Sequence, residues 1–301
     1  MSPQRIFLGR VPIYVSIPVL ILCFIFLWGY FSSSLVLKVG RSPITLSPKD
    51  VGMEYEEVKF TSSDGMEISG WFVRSEHRSS ATVITCHGWG ANRSDVLPST
   101  FFLAKTGFNI LYFDFRNHGQ SGGRISSLGY LEALDLKAAI DYLKNEKSSY
   151  AEKIGVYGVS MGGSVAILTA AEDNRINAVV ADSSFSAFND IVVRYAELFY
   201  NIPEYPLMPV TLFFVRCRLG FDPEKFSAEK HIAAISPRPI FVIHGLDDTR
   251  ISVSDGIKLF DIAGHPKFLW TVEDADHMES HLKNPVKYQR KVGFFFSKYL
   301  L

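Results

Sequence analysis

A serine flanked by two glycines lies near the middle of the chain, between two apolar segments. The stretch at 154–169 reads IGVYGVSMGGSVAILT, and its centre at 158–162 is a Gly-x-Ser-x-Gly pattern around Ser160. The residues before the pattern predict the end of a buried strand, and those after it predict a helix. A chain that turns from strand to helix within one residue holds the serine in a strained conformation with its hydroxyl exposed, near the positive end of the helix. Ser160 is therefore a candidate nucleophile.

A nucleophilic serine needs a base that takes its proton and an acid that orients the base. Asp248 and His277 are the candidates, because each follows a predicted strand, at 239–243 and 267–272. They come after Ser160 in the order serine, acid, histidine. The carboxyl ends of parallel strands meet at one edge of a sheet, so the three side chains can converge there.

Three other residues are alternatives for these roles. Asp247 precedes Asp248 directly and is the nearest rival for the acid, whereas Asp190 is a more distant one. His281 is a rival base, but we expect it at the start of the last helix.

These motifs resemble the α/β-hydrolase superfamily of serine hydrolases over residues 54–301. The pattern at 158–162 resembles the nucleophile elbow of that family, and His-Gly-Leu-Asp-Asp at 244–248 resembles its acid loop. The chain is most similar to membrane-anchored members with a minimal lid, and to bacterial members described as esterases or as serine aminopeptidase-like. It departs from the family at Asp276, where a small residue is commoner, and at Ser252, where many relatives have proline.

The resemblance implies a role for the loop after the strand predicted at 82–86. This strand ends in His87-Gly88-Trp89, where the family places one amide of its oxyanion hole. We expect the backbone N–H groups of Trp89 and Met161 to hold the oxyanion. His87 is expected to be structural, since it precedes the serine in the chain. His118 could be catalytic, but we expect it to support the loop after the strand at 109–113.

The resemblance also implies a catalytic role for each of the three residues. Ser160 attacks an acyl carbon, His277 takes its proton and returns it to the leaving group, and Asp248 orients the imidazole. It implies neither a metal nor an organic cofactor.

The predicted elements alternate between strand and helix, which favours an α/β fold with a mostly parallel, doubly wound sheet. Residues 54–60 and 66–73 predict an opening hairpin, with a turn at 62–65. The other predicted strands are 82–86, 109–113, one ending at 157, 176–181, 239–243 and 267–272, and the main helices are 128–145, one after Ser160, and 285–300.

Residues 185–235 interrupt this alternation. Phe188, Ile191, Val192, Tyr195 and Phe199 recur at helical spacing, and three prolines follow them. We predict a small helical lid over the carboxyl ends of the strands. The alternative is an ordinary helix packed on the sheet.

The N-terminal segment contains no charged residue between 11 and 37, and its most apolar part at 11–31 is long enough to cross a bilayer. We therefore divide the chain into an anchor at 1–37, a linker at 38–53 and a hydrolase domain at 54–301. The alternative is a signal peptide cleaved near the serines at 32–34, although the apolar run is longer than such peptides require.

The basic residues around the segment leave its orientation open. Arg5 and Arg10 precede the apolar run, and Lys38, Arg41 and Lys49 follow it. Position alone slightly favours a short N-terminus in the cytosol.

The composition excludes several other classes of protein. Lys and Arg number 31 and so do Asp and Glu, so the charge balance gives no electrostatic case for binding nucleic acid. The cysteines, Cys23, Cys86 and Cys217, have neither disulfide-framework nor metal-ligand spacing.

The sequence therefore predicts a membrane-tethered hydrolase that cleaves carboxylic esters or thioesters. The aromatic and apolar lid indicates apolar acyl groups. One alternative is a serine peptidase or amidase, because the same triad cleaves amides. The other is a catalytically silent scaffold on this fold.

Overall fold

The structure, a computed structural model, describes the backbone of residues 13–301 and the side chains from residue 17 onward. Arg5, Arg10 and the start of the apolar run at 11–12 lie outside the described residues. Eight strands are present: β1 (Glu56–Thr61), β2 (Glu67–Val73), β3 (Ala81–Cys86), β4 (Asn109–Phe113), β5 (Lys153–Val159), β6 (Ile176–Asp182), β7 (Ile240–Gly245) and β8 (Lys267–Val272).

The eight strands form one sheet in the order β1-β2-β4-β3-β5-β6-β7-β8. The hairpin strand β2 is antiparallel to both β1 and β4, and all other neighbours are parallel. The sequence-based prediction of a mostly parallel sheet that opens with a hairpin is confirmed.

Helices cover both faces of this sheet. The α-helices are α1 (Ile13–Leu37), α2 (Leu97–Thr100), α3 (Phe102–Lys105), α4 (Tyr130–Glu146), α5 (Met161–Glu172), α6 (Phe188–Tyr200), α7 (Leu207–Leu219), α8 (Ala228–His231), α9 (Val253–Ile262), α10 (Ser280–Lys283) and α11 (Pro285–Leu300). Short 3₁₀ helices lie at Pro48–Val51, Ser148–Tyr150, Pro223–Phe226 and Ile232–Ile235.

The core consists of two apolar layers, one on each face of the sheet. Successive residues of a strand point to opposite faces. Val156 accordingly packs in the layer beneath α4 and α5, whereas Tyr157 packs in the layer that contains α11. The central strands are buried on both faces, which is why their sequences are continuous apolar runs.

The end of the N-terminal helix α1 packs on α7. Gly29 lies so close to Val210 and Phe214 that a Cβ atom there would overlap both side chains. Ser32 and Thr211 share a hydrogen bond of 2.7 Å between their hydroxyls. At the end of the helix Leu37 is fully buried in the core. The last turns of α1 are thus part of the folded domain.

The segment at 38–53 also lies on the domain. The Arg41 guanidinium donates to the carbonyl oxygens of His118, Gly119, Ser121 and Gly123. The Asn92 amide donates to the carbonyls of Ser42 and Pro43, at 3.2 and 3.0 Å. These bonds fix the path of the chain from α1 to β1.

Candidate active site

Ser160 occupies the sharp turn between β5 and α5. Its φ of 54° and ψ of −123° lie outside the regions that non-glycine residues favour. The glycines on either side leave the space that the turn needs, since a Cβ at Gly158 would overlap the backbone of Gly162. A Cβ at Gly162 would in turn collide with the carbonyl of Cys86. The strain and the tight packing hold the serine hydroxyl at the carboxyl edge of the sheet.

His277 and Asp248 reach this hydroxyl from two neighbouring loops. Asp248 follows β7, and His277 follows β8. The distance from Ser160 Oγ to His277 Nε2 is 3.1 Å, and that from His277 Nδ1 to Asp248 Oδ2 is 2.8 Å. Both distances suit hydrogen bonds, with the serine hydroxyl donating to Nε2 and Nδ1–H donating to the carboxylate. The structure thus brings the three sequence-predicted residues into one chain of hydrogen bonds.

The surroundings of Asp248 favour its ionised form. Its Oδ1 accepts the backbone N–H groups of Arg250 and Ile251, at 2.9 and 2.8 Å. His244 Nε2 lies 3.4 Å from Oδ2. Burial alone would raise the pKa of Asp248, but the bonds from His244, His277 and the backbone outweigh it and hold the pKa well below its usual range. A carboxylate kept charged in this way can stabilise an imidazolium.

The rival acids and the rival base lie apart from this chain of hydrogen bonds. Asp247 is exposed and its backbone N–H donates to the carbonyl of Ala275. Asp190 is exposed on helix α6. His281 lies in α10 rather than in the last helix, and its Nδ1 is 3.0 Å from the carbonyl oxygen of Met278.

Asp276, which departs from the family pattern, joins the two loops of the site. Its Oδ1 accepts the backbone N–H and the hydroxyl of Thr249, at 2.8 and 2.9 Å. The same oxygen accepts the backbone N–H of His277 at 2.7 Å. The carboxylate therefore fixes the loop after β7, which contains Asp248, relative to the loop after β8, which contains His277. From the sequence, Asp276 stands out only as a departure from the family pattern, because nothing in the linear order of residues indicates a contact with Thr249.

The backbone around Gly88 lies beside the serine. A Cβ on Gly88 would be only 3.4 Å from the Ser160 Cβ and 3.8 Å from its Oγ. In the described part of the chain, the N–H groups of Trp89 and Met161 donate no hydrogen bond to another protein group. Met161 is also the first residue of α5, where backbone N–H groups have no partner within the helix. Both amides are therefore free to bind an oxyanion.

His87 and His118 fix the backbone around Gly88 through hydrogen bonds. His87 Nε2 accepts the backbone N–H of Phe115 at 3.0 Å, and His118 Nε2 accepts that of Gly90 at 3.2 Å. Burial lowers the pKa of both imidazoles, and the proximity of the two rings lowers that of His87 further. A neutral imidazole can accept a hydrogen bond through Nε2, so the lowered pKa values agree with a structural role for both residues.

Tyr195 also borders the cleft at Ser160, although its sequence pattern indicated only a position in the helix of the predicted lid. Its side chain lines the same cleft as Ser160 and His277. Burial raises the pKa of the Tyr195 phenol, and its interaction with Ser160 acts in the opposite direction. Its helical spacing indicated a buried face of α6, but only the packing of the lid shows that this face meets the nucleophile.

The cleft above the serine is open to solvent and has mixed polarity. Asp95 and Arg250 line it with charged groups, whereas Trp89 and Phe199 line it with aromatic ones. Among residues 13–301, no group of three or more His, Cys, Asp or Glu side chains is placed to bind a metal ion.

Comparisons with known proteins identify relatives of the chain. A family described as alpha/beta hydrolase fold matches residues 81–207. The uncharacterized protein YqkD of Bacillus subtilis (strain 168) is 32% identical over 82% of this chain and 82% of its own length. The protein bem46 of Schizosaccharomyces pombe is 26% identical over 73% of this chain and 70% of its own.

A solved structure supports the same assignment. The esterase Pf2001 of Pyrococcus furiosus superposes with a TM-score of 0.74 and 31% sequence identity. The match covers 88% of this chain and all of that esterase. The sheet order, the sharp turn at Ser160 and the relatives agree, and the chain therefore belongs to the α/β-hydrolase fold family.

Proposed function

We propose that the protein hydrolyses carboxylic esters or thioesters with Ser160 as nucleophile. The observation that carries this proposal is the hydrogen-bonded chain from Ser160 through His277 to Asp248. The similarity to the Pf2001 esterase supports ester substrates.

The reaction follows from the positions of these atoms. Ser160 Oγ attacks the acyl carbon while His277 Nε2 takes the hydroxyl proton, and Asp248 stabilises the resulting imidazolium. The oxyanion accepts hydrogen bonds from the N–H groups of Trp89 and Met161. His277 then donates the proton to the leaving alcohol or thiol. A water activated by the same imidazole hydrolyses the acyl-enzyme and restores the serine.

A peptidase or amidase is the second candidate function. Asp95 lines the open cleft, and its carboxylate is a partner for the ammonium group of an aminoacyl substrate. Arg250 lines the same cleft with the opposite charge, so the lining gives no net preference for a cation. The ester reading is favoured because the remaining lining offers mainly aromatic and backbone groups.

A substrate screen separates these possibilities. The full-length protein in detergent is assayed with p-nitrophenyl esters of graded chain length and with aminoacyl p-nitroanilides. We expect turnover of the esters, at a higher kcat/KM than that of any anilide. Faster cleavage of an aminoacyl anilide would contradict the ester proposal. A fluorophosphonate probe provides the further control, because failure to label Ser160 would favour a silent scaffold.

We also propose that α1 anchors the protein in a membrane. Ile17–Leu37 is the one helix of the described chain long and apolar enough to span a bilayer, with a mean hydropathy of 2.1. Cleavage near 32–34 would remove contacts of the folded domain, because Ser33 is fully buried and accepts a bond of 2.9 Å from Arg218. These contacts favour an uncleaved helix over a signal peptide.

Membrane fractionation tests the anchor. The protein should sediment with membranes and require detergent for release, since about twenty apolar residues suffice to span the hydrocarbon core. High salt and alkaline carbonate should not release it. A mature protein that begins at 33–35 and remains in the soluble fraction would contradict the proposal.

A further inference from the structure

We infer that the N-terminal helix forms one wall of a binding site for the acyl chain of the substrate. This inference rests on the proposed ester hydrolysis and names the subsite that would select the acyl group. The site is a cavity between α1, α6 and α7, next to the Ser160 cleft.

Apolar side chains of these three helices line most of the cavity, and one side of it is open to solvent. The space open to the centre of a water-sized sphere is about 70 Å³. Leu35 and Val36 line it from α1, Val192 and Ala196 from α6, and Met208 from α7. Within the described lining no side chain is charged. The hydroxyls of Ser32 and Thr211, which also line it, bond to each other at 2.7 Å.

The same residues border the cavity and the reaction centre. Trp89, Tyr195 and Phe199 line both spaces. The rings of Trp89 and Tyr195 lie 6.4 Å apart between centroids, and those of Tyr195 and Phe199 lie 5.1 Å apart. An ester carbonyl held by the Trp89 N–H would therefore have its acyl chain beside these rings. The cavity continues from there toward α1.

The chemistry of the lining selects the occupant. A charged group would lose its hydration without gaining an opposite charge, because no side chain of the described lining is charged. A linear acyl chain loses nothing polar, and each methylene that it buries improves kcat/KM by about fourfold. Leu35 of α1 is 47% exposed, and Phe199 and Tyr200 of α6 are 50% and 55% exposed, so the open side of the cavity lies between α1 and the end of α6. We therefore assign it to a medium-length acyl chain.

The test is the ratio of kcat/KM for p-nitrophenyl octanoate to that for the acetate, measured on the full-length protein in detergent. Leu35→Trp and Ala196→Phe fill the cavity from opposite walls. Each should lower the ratio at least tenfold, because exclusion of about two methylenes is worth that much. Leu27→Trp is the matched control: it makes the same change at a 58% exposed position of the same helix, outside the cavity.

The inference is overturned if both cavity-filling variants keep the wild-type ratio of kcat/KM values. It is also overturned if Leu27→Trp lowers this ratio as much as Leu35→Trp does. Leu35 is half exposed, so the larger ring has room without disturbing the core. Thermal unfolding of each variant checks that the fold is retained.

A second measurement does not depend on ester turnover. The rate at which alkyl fluorophosphonates inactivate the protein is compared for ethyl and octyl groups. We expect faster inactivation by the octyl compound, and loss of that advantage in Leu35→Trp. If this pattern appears while no ester is hydrolysed, the proposed function fails and the acyl site stands. If esters are cleaved but the octyl group gives no advantage, the acyl site fails alone.

Discussion

Replacement of Ser160 by alanine should abolish hydrolysis while the fold remains intact. Alanine keeps the Cβ atom and removes only the hydroxyl, which lies 3.1 Å from His277 and is the nucleophile of the proposed reaction. The loss in kcat should be on the order of 10⁴-fold or more, as for other nucleophiles that act in a triad. Steady-state kinetics on the best p-nitrophenyl ester measure it, and activity within tenfold of the wild type would contradict the assignment.

Two further serine variants separate chemistry from structure. Ser164→Ala changes a buried serine in the next turn of α5, whose hydroxyl donates to the Phe185 carbonyl at 2.8 Å. It should lose about 1 kcal/mol of stability but retain most activity. Ser160→Gly should be as inactive as the alanine variant and at least as stable, since glycine accepts the φ of 54° without strain.

The inner strands of the sheet were predictable because both of their faces are buried. Such strands appear as short continuous apolar runs bounded by turn residues, and this pattern locates β3, β4 and β6 to within one residue. The pattern of apolar residues carries no information about the order of the strands in the sheet, however. The position of β4 between β2 and β3 follows from long-range pairing that local sequence does not record.

The contact between α1 and α7 lay beyond sequence reasoning. Residues 210–215 are apolar except for Thr211, so hydrophobicity alone does not single out the buried face of α7. Its partner at Gly29 is far away in the sequence, within a segment whose apolar character is already explained by a membrane. The observation that these two segments pack together comes only from the structure, and it changes the predicted lid into a wall shared with the N-terminal helix.

The arrangement of the site was partly predictable for a related reason. A residue that follows a parallel strand directly must lie at the carboxyl edge of the sheet, which places Ser160, Asp248 and His277 in one region. Loop residues that depend on side-chain contacts across the site have no such constraint. Asp276 and Tyr195 therefore emerged only from the three-dimensional packing.

Asp247 and Asp248 illustrate how far linear spacing resolves a site. The two carboxylates are adjacent in the sequence, and either would satisfy the order serine, acid, histidine. In the structure Asp248 is 7% exposed and bonds to His277, whereas Asp247 points into solvent. The difference arises from the conformation of the loop after β7, in which Asp248 accepts the N–H groups of Arg250 and Ile251.

Asp248→Asn should therefore reduce kcat by about 10³- to 10⁴-fold, since an amide neither fixes the tautomer of His277 nor stabilises its charged form. Asp247→Asn is the matched control. It removes the same charge from the neighbouring residue, and it should change kcat by far less because that side chain is exposed. The kcat values of both variants on one ester show which carboxylate acts as the acid, and unfolding curves confirm that each variant is folded. A larger loss in Asp247→Asn would assign the acid to Asp247 and show that the loop is shifted by one residue.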